Sequence, residues 1–314
     1  MEKIITEFDR LFRGETKTVL VPAIIETVEE MRDYWPLTVR QLYYQLVSKL
    51  IIKNNLASYG KVSRVSTKLR RHDIIPWDAV EDRTRRTIEK RGISDVQAFV
   101  EEQMESFLDF RYYHRCYVQN QDNYVEVAVE KDALSSILSE AIWQYCTRLN
   151  IVKGQVSATM LNDMAERFEQ AVFNGQNPVL LYLGDFDPTG IAIPESIQSK
   201  LWEFHGVEIE LRRVGLNPEH IKQYNLPESF DAAKQADPNY RKFINRFGNA
   251  APTELDALHP RDLTELIQQA LEDVLDMSEI DDQKIIENDE RLKLKRARQD
   301  FVKYGRDHYP ELFA

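Results

Sequence analysis

Apolar runs alternate with amphipathic segments along the middle of the chain. The predicted strands cover residues 125–129, 149–157, 179–183 and 207–216. Three helices are predicted between and after them: one that begins near residue 132, one over 158–173 and one over 197–204. Strands that alternate with helices are typical of right-handed βαβ units on a parallel sheet. The 179–183 run is apolar throughout, as in a central strand covered on both faces. The pattern therefore predicts an α/β domain.

The N-terminal region has the pattern of two helices joined by a polar turn. Thr38 stands where it can cap a helix over residues 39–51. The apolar positions of this helix have the spacing of a core face: Val39, Leu42, Tyr43, Leu46 and Leu50. Arg40 and Tyr44 are four residues apart and share a neighbouring face. The pattern therefore predicts that Tyr43 is in the core and that Tyr44 lies beside a guanidinium.

Basic residues dominate the second helix, predicted over residues 63–75. Arg64, Lys68 and Arg71 are spaced four and three apart, so they share a face. Residues 74–86 then have the pattern of a strand or wing edge that ends in bases. A helix, a turn, a basic helix and a hairpin are the parts of a helix-turn-helix or winged-helix DNA-binding domain. A solvated basic helix without a ligand is the alternative.

Charge is unevenly distributed along the chain. The formal net charge is −11, which by itself argues against a nucleic-acid partner. Residues 40–91, however, contain thirteen bases and five acids, a local net charge of +8. A local basic face is what phosphate binding requires. The candidate DNA-binding residues are Arg64, Lys68, Arg70, Arg71, Arg83, Arg85, Arg86 and Lys131.

Composition narrows the class of protein further. The 314 residues predict two domains or one large one, and no run approaches the roughly 20 apolar residues of a membrane span. The N-terminus lacks a secretory hydrophobic region, and two cysteines are too few for a disulfide framework. We therefore expect a cytoplasmic, DNA-associated protein. Polar boundaries predict a DNA-binding domain over 1–119, a sheet domain over 120–252 and a helical C-terminal extension over 253–314.

Three carboxylates follow predicted strands. Asp185 and Asp187 come directly after the central strand, and Glu130 follows the strand at 125–129. The carboxyl ends of parallel strands meet at one edge of a sheet, where the functional crevice of such folds lies. Carboxylate oxygens are the ligands that Mg²⁺ prefers. The sequence therefore predicts a site for Mg²⁺, or for Mn²⁺ in its place, although Asp, Gly and Pro also suit an ordinary turn.

Several motifs together resemble a known family. VAVEKDAL at 127–134, followed by YLGDFDPTGIAI at 182–193, resembles the TOPRIM domain of topoisomerase VI A subunits and of the meiotic double-strand-break transesterases. RQLYY at 40–44 is similar to the Arg-x-x-Tyr-Tyr motif of the CAP-like winged helix that precedes it. RVGL at 213–216 and ELDAL at 254–258 resemble later segments of those subunits. The resemblance implies a winged-helix domain, then a Rossmann-like TOPRIM domain, then a helical tail.

The resemblance also implies an activity. The family cuts duplex DNA with a tyrosine that becomes linked to a 5′ phosphate. By position, Tyr44 is the implied nucleophile, Arg40 stabilises charge on the attacked phosphate, and Glu130, Asp185 and Asp187 hold Mg²⁺. Lys131 either contacts a phosphate or is a solvated residue after the strand. A homodimer that cuts both strands is implied, and strand passage would need a separate ATPase subunit.

Three alternatives stay open. Bacterial and phage relatives with this layout include nucleases that hydrolyse DNA without using the tyrosine, in which case Tyr44 packs or contacts DNA. DFDPT also satisfies the DxDxT motif of haloacid-dehalogenase-type phosphatases, with Asp185 as nucleophile. The third alternative is a DNA-binding regulator without catalytic activity.

Overall fold

A computed structural model of the chain describes residues 12–81, 93, 95–154, 156–229, 237–248 and 250–312. Its α-helices in chain order are α1 Val21–Glu30, α2 Val39–Ser48, α3 Leu56–Arg71, α4 Val96–Ser106, α5 Ser135–Trp143, α6 Ala158–Phe173, α7 Pro188–His205, α8 Pro218–Gln223, α9 Tyr240–Phe247, α10 Pro260–Glu272 and α11 Met277–His308. Its β-strands are β1 Leu37–Thr38, β2 Val80–Glu81, β3 Asn123–Val129, β4 Arg148–Ile151, β5 Asn177–Leu183 and β6 Glu210–Gly215.

The central feature is a parallel sheet with the strand order β4-β3-β5-β6. Strands β3 and β5 are in register along their whole length, from Asn123 opposite Asn177 to Val129 opposite Leu183. Residues 178–183 of β5 are all buried, as expected for a strand covered on both faces. The predicted α/β class with a parallel sheet is therefore confirmed.

The N-terminal helices pack around a core of their own. Thr38 caps α2 as predicted: its side chain accepts a hydrogen bond from Gln41, whose side chain accepts one from the Thr38 backbone. The capping box fixes the start of α2 and therefore the direction of its faces. Tyr43 lies in this core and Tyr44 lies beside the Arg40 guanidinium, as predicted, but Tyr44 is also part of the core.

Two short strands accompany these helices. Strand β1 pairs with β2 in parallel, with Leu37 opposite Val80 and Thr38 opposite Glu81. An antiparallel wing hairpin is not found within residues 12–81, and the following residues 82–92 lie outside the described part of the chain. The described segment thus has a helix, a turn and a second helix rich in bases, and the wing hairpin remains a prediction.

The chain divides into two compact units. One comprises Met1–Arg85 and Asp122–Val274, and the other comprises Arg86–Gln121 and Leu275–Ala314. The three-domain division at 119 and 252 remains a prediction. In the second unit, the Arg298 guanidinium donates to the carbonyls of Met104, Glu105 and Phe107, at and just after the end of α4. No helix in the described part of the chain is long and apolar enough to cross a membrane.

Candidate acidic site at the sheet edge

The three predicted metal ligands lie at the carboxyl ends of two paired strands. Glu130 follows β3, and its backbone N–H donates to the Leu183 carbonyl at 3.0 Å. The Glu130 carboxylate in turn accepts a hydrogen bond from the Asp185 backbone N–H, at 3.1 Å from Oε2. Asp187 follows two residues later and caps α7, where its Oδ1 accepts from the Gly190 N–H at 2.6 Å. The structure therefore brings the three carboxylates to one edge.

Gly190 allows this turn to close tightly. A Cβ atom at position 190 would lie 2.3 Å from the Asp185 carbonyl oxygen and 3.1 Å from Glu130 Oε2. Real Cβ atoms do not approach a backbone oxygen so closely, and the backbone cannot yield as a flexible side chain could. The glycine of the DFDPTG motif is therefore required by packing at this edge.

Burial alters the acidity of all three carboxyl groups. The pKa of Asp185, which is 6% exposed, is raised well above its usual value by burial, even though the Lys131 ammonium opposes this. Burial and the charge of Asp187 raise the pKa of Glu130, and burial raises the pKa of Asp187. Burial makes the ionised form of a carboxyl group costly, and a nearby cation stabilises that ionised form. This edge is therefore suited to binding positive charge.

Two further carboxylates at this edge, Glu254 and Asp256, were not predicted. A short antiparallel bridge between Phe186 and Thr253 holds their segment against the turn that carries Asp185 and Asp187. The Leu255 N–H also donates to Asp185 Oδ1 at 2.7 Å. The acid-x-acid spacing of ELDAL repeats that of DFD, and this similarity could have identified the pair in the sequence.

Lys131 and Arg40 place their charges among these acids. Lys131 Nζ contacts Glu254 and lies 2.8 Å from Asp185 Oδ2 and 3.4 Å from Asp256 Oδ2. Arg40 Nη2 lies 2.7 Å from Glu254 Oε2, and Nε lies 3.0 Å from Asp256 Oδ2. The Lys131 side chain is only 18% exposed. Both cations therefore belong to the site, and Lys131 is not a freely solvated residue.

Tyr44, the implied nucleophile, is fully buried beside this cluster. Its exposed fraction is 0%, and its hydroxyl has no hydrogen-bond partner within the described residues. The Arg40 guanidinium carbon lies 5.8 Å from the centre of its ring. Burial raises the pKa of Tyr44, and the charge of Glu254 raises it further. In this arrangement the hydroxyl is neutral and shielded from solvent.

The candidate DNA-binding residues fall into distinct environments. Arg64 and Arg71 are exposed on α3, whereas Lys68 is half-buried, with its Nζ 5.1 Å from the Phe12 ring centre. Arg70 donates from Nη1 to the Val80 carbonyl at 2.7 Å, so it holds β2 in place. Three other predicted residues, Arg83, Arg85 and Arg86, lie outside the described residues.

A cleft of about 520 Å³ runs beside Arg40. It carries bases and hydroxyl groups from β1, α2, α3 and the loops after β3 and β4, together with two acids: Thr38, Arg40, Tyr59, Ser63, Thr67, Arg70, Lys153, Glu81 and Asp132. Lysine, arginine and hydroxyl side chains are common donors to phosphate oxygens. The cleft therefore offers side chains of the types that donate to phosphate, with Lys153 Nζ paired to Asp132 Oδ2 at 2.9 Å.

The acidic edge has suitable donors for a hard cation, but they are not already assembled. Glu130, Asp185 and Asp187 supply the carboxylate oxygens that Mg²⁺ prefers, and the Lys131 ammonium already bound to Asp185 indicates a favourable position for positive charge. Within the described ranges, no three His, Cys, Asp or Glu side chains are grouped as a metal site.

No family model, curated protein or solved structure matches the chain.

Proposed function

We propose that this protein is a divalent-metal-dependent nuclease that cleaves duplex DNA by hydrolysis. The observation that carries the proposal is the set of buried and half-buried carboxylates at the sheet edge, next to two cations and within the same compact unit as a basic helix. The motif resemblance supports a winged-helix domain followed by a TOPRIM domain. In this proposal α2 and α3 belong to the winged helix, and β3–β6 form the core of the TOPRIM domain.

Glu130, Asp185 and Asp187 are the residues that would hold Mg²⁺ or Mn²⁺. When bound, the ion would neutralise charge on the phosphodiester and activate water. Binding requires these side chains to turn toward a common point, because they are not grouped in the structure. Arg40 and Lys131 provide positive charge beside the carboxylates, where a phosphate oxygen can accept hydrogen bonds from them.

The burial of Tyr44 favours hydrolysis over transesterification. A tyrosine nucleophile must reach the scissile phosphorus and must lose its proton. The Tyr44 hydroxyl is enclosed, and its pKa is raised by burial. Burial therefore hinders both contact with the phosphorus and loss of the proton. Transesterification remains the second candidate because Arg40 and Tyr44 lie together on α2, as the Arg-x-x-Tyr-Tyr resemblance implies. It would require Tyr44 to leave the core when DNA binds.

The proposed partner is duplex DNA, bound along the cleft beside Arg40 and along the exposed bases of α3. A homodimer in which each copy cuts one strand belongs to the proposal through the resemblance alone. A separate ATPase subunit would be needed only for the transesterase that passes strands. Cytoplasmic, DNA-associated localisation is part of the same proposal.

The test is cleavage of supercoiled plasmid with Mg²⁺ or Mn²⁺, stopped with detergent and analysed with and without proteinase K. We expect nicked or linear DNA that migrates freely without proteinase. Asp185→Asn should reduce cleavage to the level of the protein-free control, whereas Tyr44→Phe should retain it. Tyr112→Phe, at an exposed tyrosine of the other unit, is the matched control.

Two results would change the proposal. Product that enters the gel only after proteinase treatment, and that disappears in Tyr44→Phe, would establish the transesterase instead. Salt-sensitive DNA binding with no cleavage under either metal would support a non-catalytic DNA-binding protein.

A further inference from the structure

The guanidinium of Arg213, in the second half of β6, contacts the main chain of the DFDPTG turn. Its Nη2 donates to the carbonyls of Gly184 and Asp185, at 3.0 and 2.6 Å. Its Nη1 donates to the Gly190 carbonyl at 2.8 Å, and its Nε donates to the Leu216 carbonyl at 3.1 Å. One side chain therefore holds both ends of the turn that carries Asp185 and Asp187.

These contacts match the chemistry of arginine. The guanidinium is planar and offers five N–H groups in a fixed arrangement, whereas a lysine ammonium is a compact point charge. Arg213 packs over the Tyr182 ring, with its guanidinium carbon 5.4 Å from the ring centre. The ring therefore supports one face of this planar fork of N–H donors. Four separate carbonyls can be satisfied at once only by such a fork.

Arg213 donates to backbone carbonyls and leaves the carboxylates of Asp185 and Asp187 free of direct contact with it. It therefore fixes where those side chains start without occupying the oxygen atoms that a cation would use. Lys131, by contrast, is bound directly to Asp185 Oδ2. At this turn, Lys131 therefore pairs with the carboxylate of Asp185, whereas Arg213 donates to its main-chain carbonyl.

We propose that Arg213 is a positioning residue that holds the turn carrying Asp185 and Asp187 at the edge where a divalent cation would bind, acting through the main-chain carbonyls of that turn. This inference rests on the proposed metal-dependent function. It identifies the arginine of the RVGL segment as part of the acidic site, although Arg213 itself does not touch the cation or the DNA.

The experiment measures Mn²⁺ affinity of the full chain by calorimetry or by electron paramagnetic resonance, without DNA. Arg213→Lys keeps the charge but not the fork, and Arg213→Gln removes both. Arg212→Gln is the matched control, because Arg212 is the exposed neighbour of Arg213 on β6 and pairs with Glu210. Loss of groups that orient metal ligands typically weakens metal binding by about 10–100-fold. We expect that range for Arg213→Lys and Arg213→Gln, and wild-type affinity for Arg212→Gln.

Urea unfolding of every variant separates positioning from general stability. Weaker Mn²⁺ binding by a folded Arg213→Lys, whose unfolding midpoint stays near that of wild type, supports positioning. Wild-type affinity in both folded Arg213 variants overturns it, and so does unfolding of both variants, since Arg213 would then be structural. Absence of saturable Mn²⁺ binding in the wild-type chain would instead overturn the proposed function, and the role of Arg213 with it.

Discussion

At the scale of single residues, the acidic site is a balance of opposite charges removed from water. Arg40 and Lys131 share Glu254 and Asp256, so each carboxylate compensates the burial of two cations. An uncompensated buried charge is far more costly than a paired one. The two acids of the ELDAL segment therefore stabilise the folded chain as well as shaping the site.

Glu254→Gln tests this balance through its pH dependence. Burial alone would raise the pKa of Glu254, but Lys131 and Arg40 outweigh burial and lower it below the ordinary 4.5. A carboxyl group with a lowered folded-state pKa contributes stability at neutral pH and loses it as pH falls through that pKa. We expect Glu254→Gln to lower the free energy of unfolding by about 1–3 kcal/mol near neutral pH. Urea unfolding should show this gap narrowing below pH 4.5, and a constant gap would contradict the ion pairing.

Gly190→Ala tests the tight packing of the turn. Because its Cβ would overlap the Asp185 carbonyl, we expect the free energy of unfolding to fall by about 1–3 kcal/mol. Gly60→Ala is the control at another helical glycine, where the nearest atom, Arg64 Nη1, is 3.4 Å away. Alanine favours a helix over glycine, so that variant should gain about 0.5–1 kcal/mol. Equal effects of the two substitutions in chemical unfolding would be evidence against the packing argument.

At the scale of elements, Asp187 connects the start of α7 to the acidic edge. Its Oδ1 caps the helix, and its charge is one of the three predicted for the metal. Asparagine caps a helix about as well as aspartate, whereas alanine does not. The cap and the charge can therefore be separated by substitution.

We expect Asp187→Asn to keep the thermal stability of the wild type but to weaken Mn²⁺ binding. Asp187→Ala should weaken Mn²⁺ binding as well and lower the free energy of unfolding by about 0.5–2 kcal/mol. Thermal unfolding and calorimetric titration of both variants check this. If Asp187→Asn binds Mn²⁺ with wild-type affinity, Asp187 is only a cap.

The hydrophobic periodicity predicted which helices and strands form more accurately than it predicted their first and last residues. The predicted helix over 158–173 coincides with α6, and the predicted central strand lies within β5. Helix α7 instead begins at Pro188, nine residues before the prediction, because DFDPTG has the composition of a turn while Asp187 acts as a cap. The spacing of residues 254–256 could single them out as a pair of acids, but their place at the site depends on a bridge between distant segments, which the pattern does not show.

At the scale of the whole molecule, the exposed bases of α3 determine how the proposed DNA binding depends on salt concentration. Each phosphate that a base neutralises contributes about 0.9 to the slope of log affinity against log salt. The double variant Arg64→Gln/Arg71→Gln should therefore lower the magnitude of that slope by about 2. Fluorescence anisotropy with a DNA duplex at several salt concentrations measures it, with Arg212→Gln as the control. An unchanged slope would place the DNA elsewhere.

The acidic site can form only late in the synthesis of the chain. Its charged groups come from residue 40, from residues 130 and 131, from the turn at 185–187 and from residues 254–256. Strand β3 cannot pair with β5 until more than fifty further residues have been made, and such distant pairings form late in folding. A nascent chain therefore carries its basic helix before it has an acidic site. The five carboxylates of the site come together only once residue 256 has left the ribosome.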